Sequence, residues 1–275
     1  MGGIANARGM LRLLKKIIPL SVRSRLKWLG YAWQDMTGSE PEFRVPPKRK
    51  TFIGGGDFIA VGDAFFGTLK RHGLTPEMDV LDVGCGQGRM ARPMTEYLKG
   101  RYAGFDIDKT GIEWCQAQYK DVPNFTFHHT DVFNARYNKT GSIAAKDFRF
   151  SFKDNSFDRV FLTSVFTHMF KDDVENYLSE IARVLKPGGK CLVTWFLLDE
   201  VSRQSQHPVM RFKHDVDDVS MTTVKSNPEA AIAFDLDFVS GLYKKYGLSI
   251  ETIEHGTWGR PDSDFDLQDL VIASK

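Results

Sequence analysis

Cysteine is scarce. The chain has three, Cys85, Cys115 and Cys191, an odd and scattered set with no Cys-x-x-Cys pair. This excludes a disulfide framework and a cysteine-based zinc site, and it fits a reducing compartment. Long hydrophobic runs are also missing. No uninterrupted apolar stretch approaches the roughly 18 residues of a membrane-spanning helix. Charge interrupts every apolar stretch near the N-terminus, so a clean signal peptide is not expected. Net charge is nearly absent, with 37 basic and 35 acidic residues. Internal repeats are absent as well.

What is present is an ordinary globular balance. The 275 residues are 42% hydrophobic and 26% charged, enough for one sizeable domain or two small ones. Twenty-one phenylalanines can fill a continuous core. The charge is unevenly placed. Residues 1–50 hold eleven Lys/Arg against three Asp/Glu, whereas residues 51–275 hold 26 against 32. A mildly acidic body therefore carries a basic head, which points to an anionic surface as the partner of the head, lipid or nucleic acid. Apolar residues at Met10, Leu13, Leu14, Ile17 and Ile18 predict an amphipathic helix ended by Pro19. Val22, Leu26, Leu29 and Trp33 predict a second. Residues 10–33 can lie in an anionic membrane interface, pack on the body with solvated basic faces, or cover the active site. No nucleic-acid recognition module occurs, so nucleic acid is not an expected partner. The expected division is a basic helical extension and linker over 1–50 and a catalytic domain over 51–275. Gly54-Gly55-Gly56 lacks the Lys-Ser/Thr of a P-loop. It is read as a hinge or a linker turn, with Phe58 and Phe65 as candidate covers for a cofactor.

The body alternates short apolar runs with helical periods. Strands are predicted over 80–83, 102–105, 125–128, 157–163, 190–196, 248–255 and 266–273, and helices over 89–98, 111–119, 174–185 and 230–246. Such alternation implies a parallel sheet covered on both faces, with ligands beyond the carboxyl ends of the strands. Three acids stand at strand ends. The first strand runs into Leu81-Asp82-Val83-Gly84-Cys85-Gly86-Gln87-Gly88, whose glycines allow a sharp turn and close backbone approach. Asp106 ends the second strand 18 residues beyond Gly88, a spacing that suits a carboxylate accepting ribose hydroxyls. Asp131 follows the third strand, where it can accept from an adenine amino group.

With these residues the chain resembles the class I S-adenosylmethionine-dependent methyltransferases. The resemblance rests on 81–88 as motif I, 104–108 as motif II, 130–133 as motif III, 156–169 as motif IV and 184–193 after it, and extends over about 52–275. It implies a Rossmann-like α/β fold. Its sheet would have seven mostly parallel strands in the order 3-2-1-4-5-7-6, with the last antiparallel. It also implies S-adenosylmethionine as cofactor, held by Asp82, Gly84, Cys85, Gly86, Gly88, Asp106, Ile107, Asp131, Val132 and Ser164. Dinucleotide binding is the competing reading, disfavoured by the G-x-G-x-G spacing. Motif IV reads Leu162-Thr163-Ser164-Val165-Phe166-Thr167-His168, without the Asn/Asp-Pro-Pro-Tyr/Phe set of amino-group and DNA-base enzymes. The acidic set that holds Mg²⁺ in catechol-type enzymes is missing too, so no metal is expected.

His168 is the candidate general base for a hydroxyl acceptor, because a neutral imidazole near pH 7 suits proton removal. A helix-capping role is its structural alternative. His129, Tyr137, His207, Arg211 and His255 are candidate acceptor-site residues. The long links 134–155 and 199–227 are expected to shape that site. The expected reaction is methyl transfer to a small-molecule, sugar or lipid acceptor, foremost at a hydroxyl. The overall pattern is similar to bacterial enzymes of polysaccharide and glycolipid modification. N-methylation of an amine and C-methylation of a quinone or isoprenoid are the alternatives within enzymes, and a non-catalytic cofactor-binding scaffold is the one outside them. The expected location is cytoplasmic, with peripheral attachment to the inner face of a membrane through the head.

Overall fold

A computed structural model describes residues 43–47 and 56–275. The helices expected within 10–33, and the glycines at 54 and 55, lie outside the described residues. The chain divides into two compact units, 1–56 and 57–275. In the first, the Arg44 guanidinium sits 4.2 Å from the centre of the Phe43 ring.

The second unit opens with helix α1 (Phe58–Arg71), started by Asp57, whose Oδ1 accepts from the Ile59 and Ala60 N–H groups. Strands follow in order: β1 (Val80–Val83), β2 (Tyr102–Asp106), β3 (Phe125–His129), β4 (Phe157–Leu162), β5 (Leu185–Trp195), β6 (Leu197–Leu198), β7 (His214–Asp215), β8 (Ser220–Thr222), β9 (Ile232–Asp235), β10 (Ser249–Glu254) and β11 (Asp269–Ser274). Between them lie helices α2 (Ala91–Met94), α3 (Lys109–Gln118), α4 (Lys171–Val184) and α5 (Leu236–Lys245). Seven strands form one sheet in the order β10-β11-β5-β4-β1-β2-β3. β11 is antiparallel to both neighbours, and the central pairs are parallel. This is the expected Rossmann-like order, with β10 and β11 as its sixth and seventh strands. Among the described residues no helix is long and apolar enough to cross a membrane.

Strand periodicity explains the two-sided core. Along β1, Leu81 and Val83 face one apolar cluster and Val80 the other. One face collects Phe105, Phe148, Phe150, Tyr177, Trp195 and Tyr243. The other collects Leu69, Met94, Tyr102, Phe125 and Phe127. Each such side chain taken from water contributes about 1.5–3 kcal/mol. Phe65 packs partly buried against this cluster, its ring 5.4 Å from that of the buried Phe161.

Two elements differ from the sequence expectation. The helix predicted over 89–98 is cut to α2. Pro93 has no N–H to give the ladder, and the Tyr97 and Leu98 N–H groups both turn back to the Met94 carbonyl. The helix predicted over 230–246 begins only at Leu236. Residues 232–235 instead form the buried strand β9, which pairs with β6 and β8. Ile, Ala and Phe in succession suit a strand once partners exist on both sides. β6 directly follows β5, and β8 comes from the 199–227 link, which folds with β6 and β9 into a second sheet, β6-β9-β8-β7.

Candidate active site

The loop after β1 is shaped by its glycines. Gly84 has φ +77°, and a Cβ there would stand 2.3 Å from Val165 Cγ2. Only a residue without a side chain allows the motif IV turn to seat against this loop. In front of Gly86, by contrast, a Cβ would meet no atom within 4 Å, so the loop backbone faces open space. The Asp106 carboxylate pins the loop from the next strand. Its Oδ2 accepts from Gly86 N and its Oδ1 from Asp108 N, each at 2.7 Å. Burial pushes the Asp106 carboxyl above its ordinary value, and those two N–H groups pull it back.

Asp82 lies underneath. It is 1% exposed, accepts the Tyr102 hydroxyl at 2.6 Å on Oδ2, and has no partner for Oδ1. Burial raises its carboxyl to about 8, against the pull of the Tyr102 hydrogen bond. The Cys85 side chain also points inward, where Gly104 leaves it room. A Cβ on Gly104 would come within 2.9 Å of both Cβ and Sγ. Cys85 thus offers a ligand only its backbone. Gly88 leaves similar room for Cys115 and Tyr119. Ile107 packs on the core, and Val132 is buried. Asp131 is exposed. Its Oδ2 accepts from the Ser142 hydroxyl and N–H, which hold its carboxyl below the usual range. His129 is exposed at the end of β3, paired in register with Asp106.

Ser164 is a non-glycine residue at φ +57°. Its N–H donates to Thr194 Oγ1 at 2.8 Å and its hydroxyl to Gln268 Oε1 at 3.1 Å, so β5 and the approach to β11 hold this left-handed position. The next residue is Val165, which touches Gly84. A 3-10 turn, Phe166–His168, follows at once. His168 Nδ1 lies 2.7 Å from the Glu229 main-chain oxygen. A carbonyl only accepts, so Nδ1 carries the hydrogen and Nε2 keeps its lone pair. Burial lowers the affinity of His168 for a second proton, the Glu229 hydrogen bond opposes this, and Arg136 lowers it further.

Tyr137 stands edge-on to His168, with ring centres 5.5 Å apart. The two are joined by a residue the sequence reading did not single out. Asn134 Nδ2 donates to Glu229 Oε1 at 3.0 Å and to the His168 carbonyl at 3.3 Å. Its Oδ1 accepts from the Arg136 and Tyr137 N–H groups. Asn134, Glu229 and Arg136 complete the site. An Asn heading a turn was the available signal for Asn134. Glu229 had none, because it reaches His168 only through the inserted sheet.

The remaining expected residues lie in other settings. His207 Nδ1 accepts from the Val209 and Met210 N–H groups, a turn-capping role. Arg211 leans on the His207 and Gln206 carbonyls. His255 Nδ1 is 3.4 Å from Asp269 without a hydrogen bond to it, and that buried carboxylate accepts from Trp258, Leu197 and Gly256 instead. Sequence reasoning thus named His168 and Tyr137, which meet, together with His207, Arg211 and His255, which do not join them.

Residues 81–193 match the methyltransferase domain model. The match covers 113 of the 275 residues and describes a methyltransferase domain, whose methyl donor is S-adenosylmethionine. The sterol 24-C-methyltransferase of Yarrowia lipolytica is 34% identical over 148 residues, covering 50% of this chain and 35% of that enzyme. An O-methyltransferase of Aspergillus nomiae is 29% identical over 120 residues, covering 44% of this chain and 47% of its own. The chain therefore spans less than half the length of each of these methyltransferases. The PH0226 protein of Pyrococcus horikoshii shares the fold, with a TM-score of 0.57 at 20% identity, covering 86% of this chain and 99% of that one. The residues expected to hold the donor fit it. The Gly84–Gly88 backbone leaves open space at Gly86, and Asp82 Oδ1 is a buried polar atom without a hydrogen-bond partner.

Proposed function

We propose that the protein transfers a methyl group from S-adenosylmethionine to a hydroxyl of a small-molecule, sugar or lipid acceptor, with His168 as general base. The observation that carries this reading is the 2.7 Å contact between His168 Nδ1 and the Glu229 carbonyl, which leaves Nε2 as a proton acceptor. His168 stands three residues after Val165, the side chain seated on the donor loop. The Gly84–Gly88 backbone and Asp82 would hold the methionine part of the cofactor, Asp106 the ribose, and Asp131 with Val132 the adenine. When bound, S-adenosylmethionine supplies an electrophilic methyl carbon on a sulfonium. The protein's own part is to place the acceptor oxygen beside His168 Nε2, which takes its proton as the oxygen becomes a nucleophile. Asn134 and Tyr137 frame the imidazole, and Glu229 fixes its tautomer.

The test is label transfer from methyl-tritiated S-adenosylmethionine into fractionated lysate of the source organism. Counts in the organic extract mean a lipid or glycolipid acceptor. Counts in the aqueous small-molecule or polysaccharide fraction mean a soluble one. C-methylation is the second reading, supported by the likeness to the sterol enzyme. Transfer retained in His168→Ala would favour it or N-methylation over O-methylation. A lipid acceptor would also give the basic segment 10–33 its role, docking on the anionic inner face of a membrane. Full-length protein left in the supernatant with anionic vesicles would overturn that part.

A further inference from the structure

The inserted sheet carries a polar hollow lined by none of the residues proposed for methyl transfer. A cavity of about 140 Å³ lies among β6, the 3-10 turn Ser202–Gln204 and the loop after it. Phe212 and Trp258 form its apolar wall, with ring centres 5.1 Å apart and Phe196 packed on both. Three cations line it: Arg203, Arg211 and Lys213. Asp235 neutralises Arg203. The other two have no carboxylate partner among the described residues. Arg211 is steadied by backbone carbonyls alone, at 3.2 Å from His207 and 3.5 Å from Gln206. Ser205 is tied back to the Trp258 carbonyl, which fixes the loop against the aromatic wall.

A guanidinium and an ammonium without acids, beside the half-buried Phe212 ring, suit an oxyanion attached to an apolar body. We infer that this cavity binds a phosphate monoester or carboxylate of a small molecule, with Arg211 and Lys213 on the anion and Phe212, backed by the buried Trp258, against its apolar part. The anion belongs either to the methyl acceptor or to a separate ligand. Binding itself does not depend on the reaction proposed above.

The test uses the full-length protein and phenyl phosphate as probe, followed by calorimetry, with phenol as the neutral control. Phenyl phosphate should bind and phenol should not. Affinity should weaken as salt rises, and should fall about tenfold or more in Arg211→Ala and in Lys213→Met. Because Arg211 braces the loop, its variant can disturb folding. The Lys213 side chain has no hydrogen-bond or ion-pair partner among the described residues, so Lys213→Met isolates the charge. Circular dichroism and adenosylmethionine affinity should match the parent. Equal binding of phenol and phenyl phosphate, or unchanged binding in Lys213→Met, overturns the inference. The source follows from label transfer. Label lost by Lys213→Met from products retained on an anion exchanger places the anion on the acceptor. Label in neutral products that phenyl phosphate alters only with the parent protein makes it a separate ligand. Failure of all label transfer with phenyl phosphate still bound would fall on the proposed reaction alone.

Discussion

The loop proposed to hold the methyl donor and the corner proposed to hold the acceptor are built in opposite ways. The loop at 84–88 is made by local sequence. Its glycines remove side chains where Val165, Cys115 and Tyr119 press in, and Asp106 ties it to the neighbouring strand. The acceptor corner is made by distance in sequence. Asn134, His168 and Glu229 come from three segments and meet only because a second sheet folds over the carboxyl end of the first. The first region is rigid by packing, whereas the second is held by a few hydrogen bonds. Binding the common donor needs one invariant shape, and choosing an acceptor needs a part that can be rebuilt without disturbing it.

This contrast can be broken most forcefully at Gly84. Gly84→Ala puts a Cβ at φ +77° and 2.3 Å from Val165 Cγ2. Strain and overlap together cost about 3 kcal/mol or more, so adenosylmethionine affinity by calorimetry should drop ~100-fold. Retention within threefold would mean that the loop is not rigid. At the other corner, His168→Ala should lower label transfer ~100-fold while leaving donor affinity unchanged. Burial keeps the imidazole neutral to below its ordinary pKa. The acid limb of the rate profile should therefore fall below about pH 6.5 and vanish in the variant. An acid limb that persists in the variant would assign it to another group.

Asp82→Asn sharpens the donor side. The folded protein holds a proton on Asp82 up to about pH 8, but the unfolded chain releases it near 3.8. The native state therefore binds the extra proton between these values, and this carboxyl erodes stability as pH rises through that window. The melting temperature of Asp82→Asn relative to the parent should climb from pH 5 to pH 8, by several degrees. A constant difference would refute the shifted carboxyl. The smallest effect belongs to Asn134→Ala. Loss of its side-chain hydrogen bonds should cost about 1–2 kcal/mol, or a few degrees by scanning calorimetry, with donor affinity intact. A change in donor affinity would show that the two regions are mechanically coupled.

The donor side was legible in the chain because its chemistry is local. Strand, glycine turn and terminal acid follow one another within a few residues, and each imposes its own backbone constraint. The sheet order was implied by the family resemblance that those motifs carry, and the strands take it up. Residues 232–235 were not legible. Their apolar run continues a helical period, and only pairing with β6 and β8 makes it a strand. The same holds for His168. The sequence placed an imidazole after β4, but the proton on Nδ1 is assigned by a carbonyl 61 residues away. Sequence alone determined the alternation, the glycine loop and the acids at the strand ends, since these depend on neighbours along the chain. Tertiary structure decided which histidine faces Tyr137, which tautomer it holds and where the inserted sheet closes. Those outcomes depend on hydrogen bonds between segments that share no local pattern.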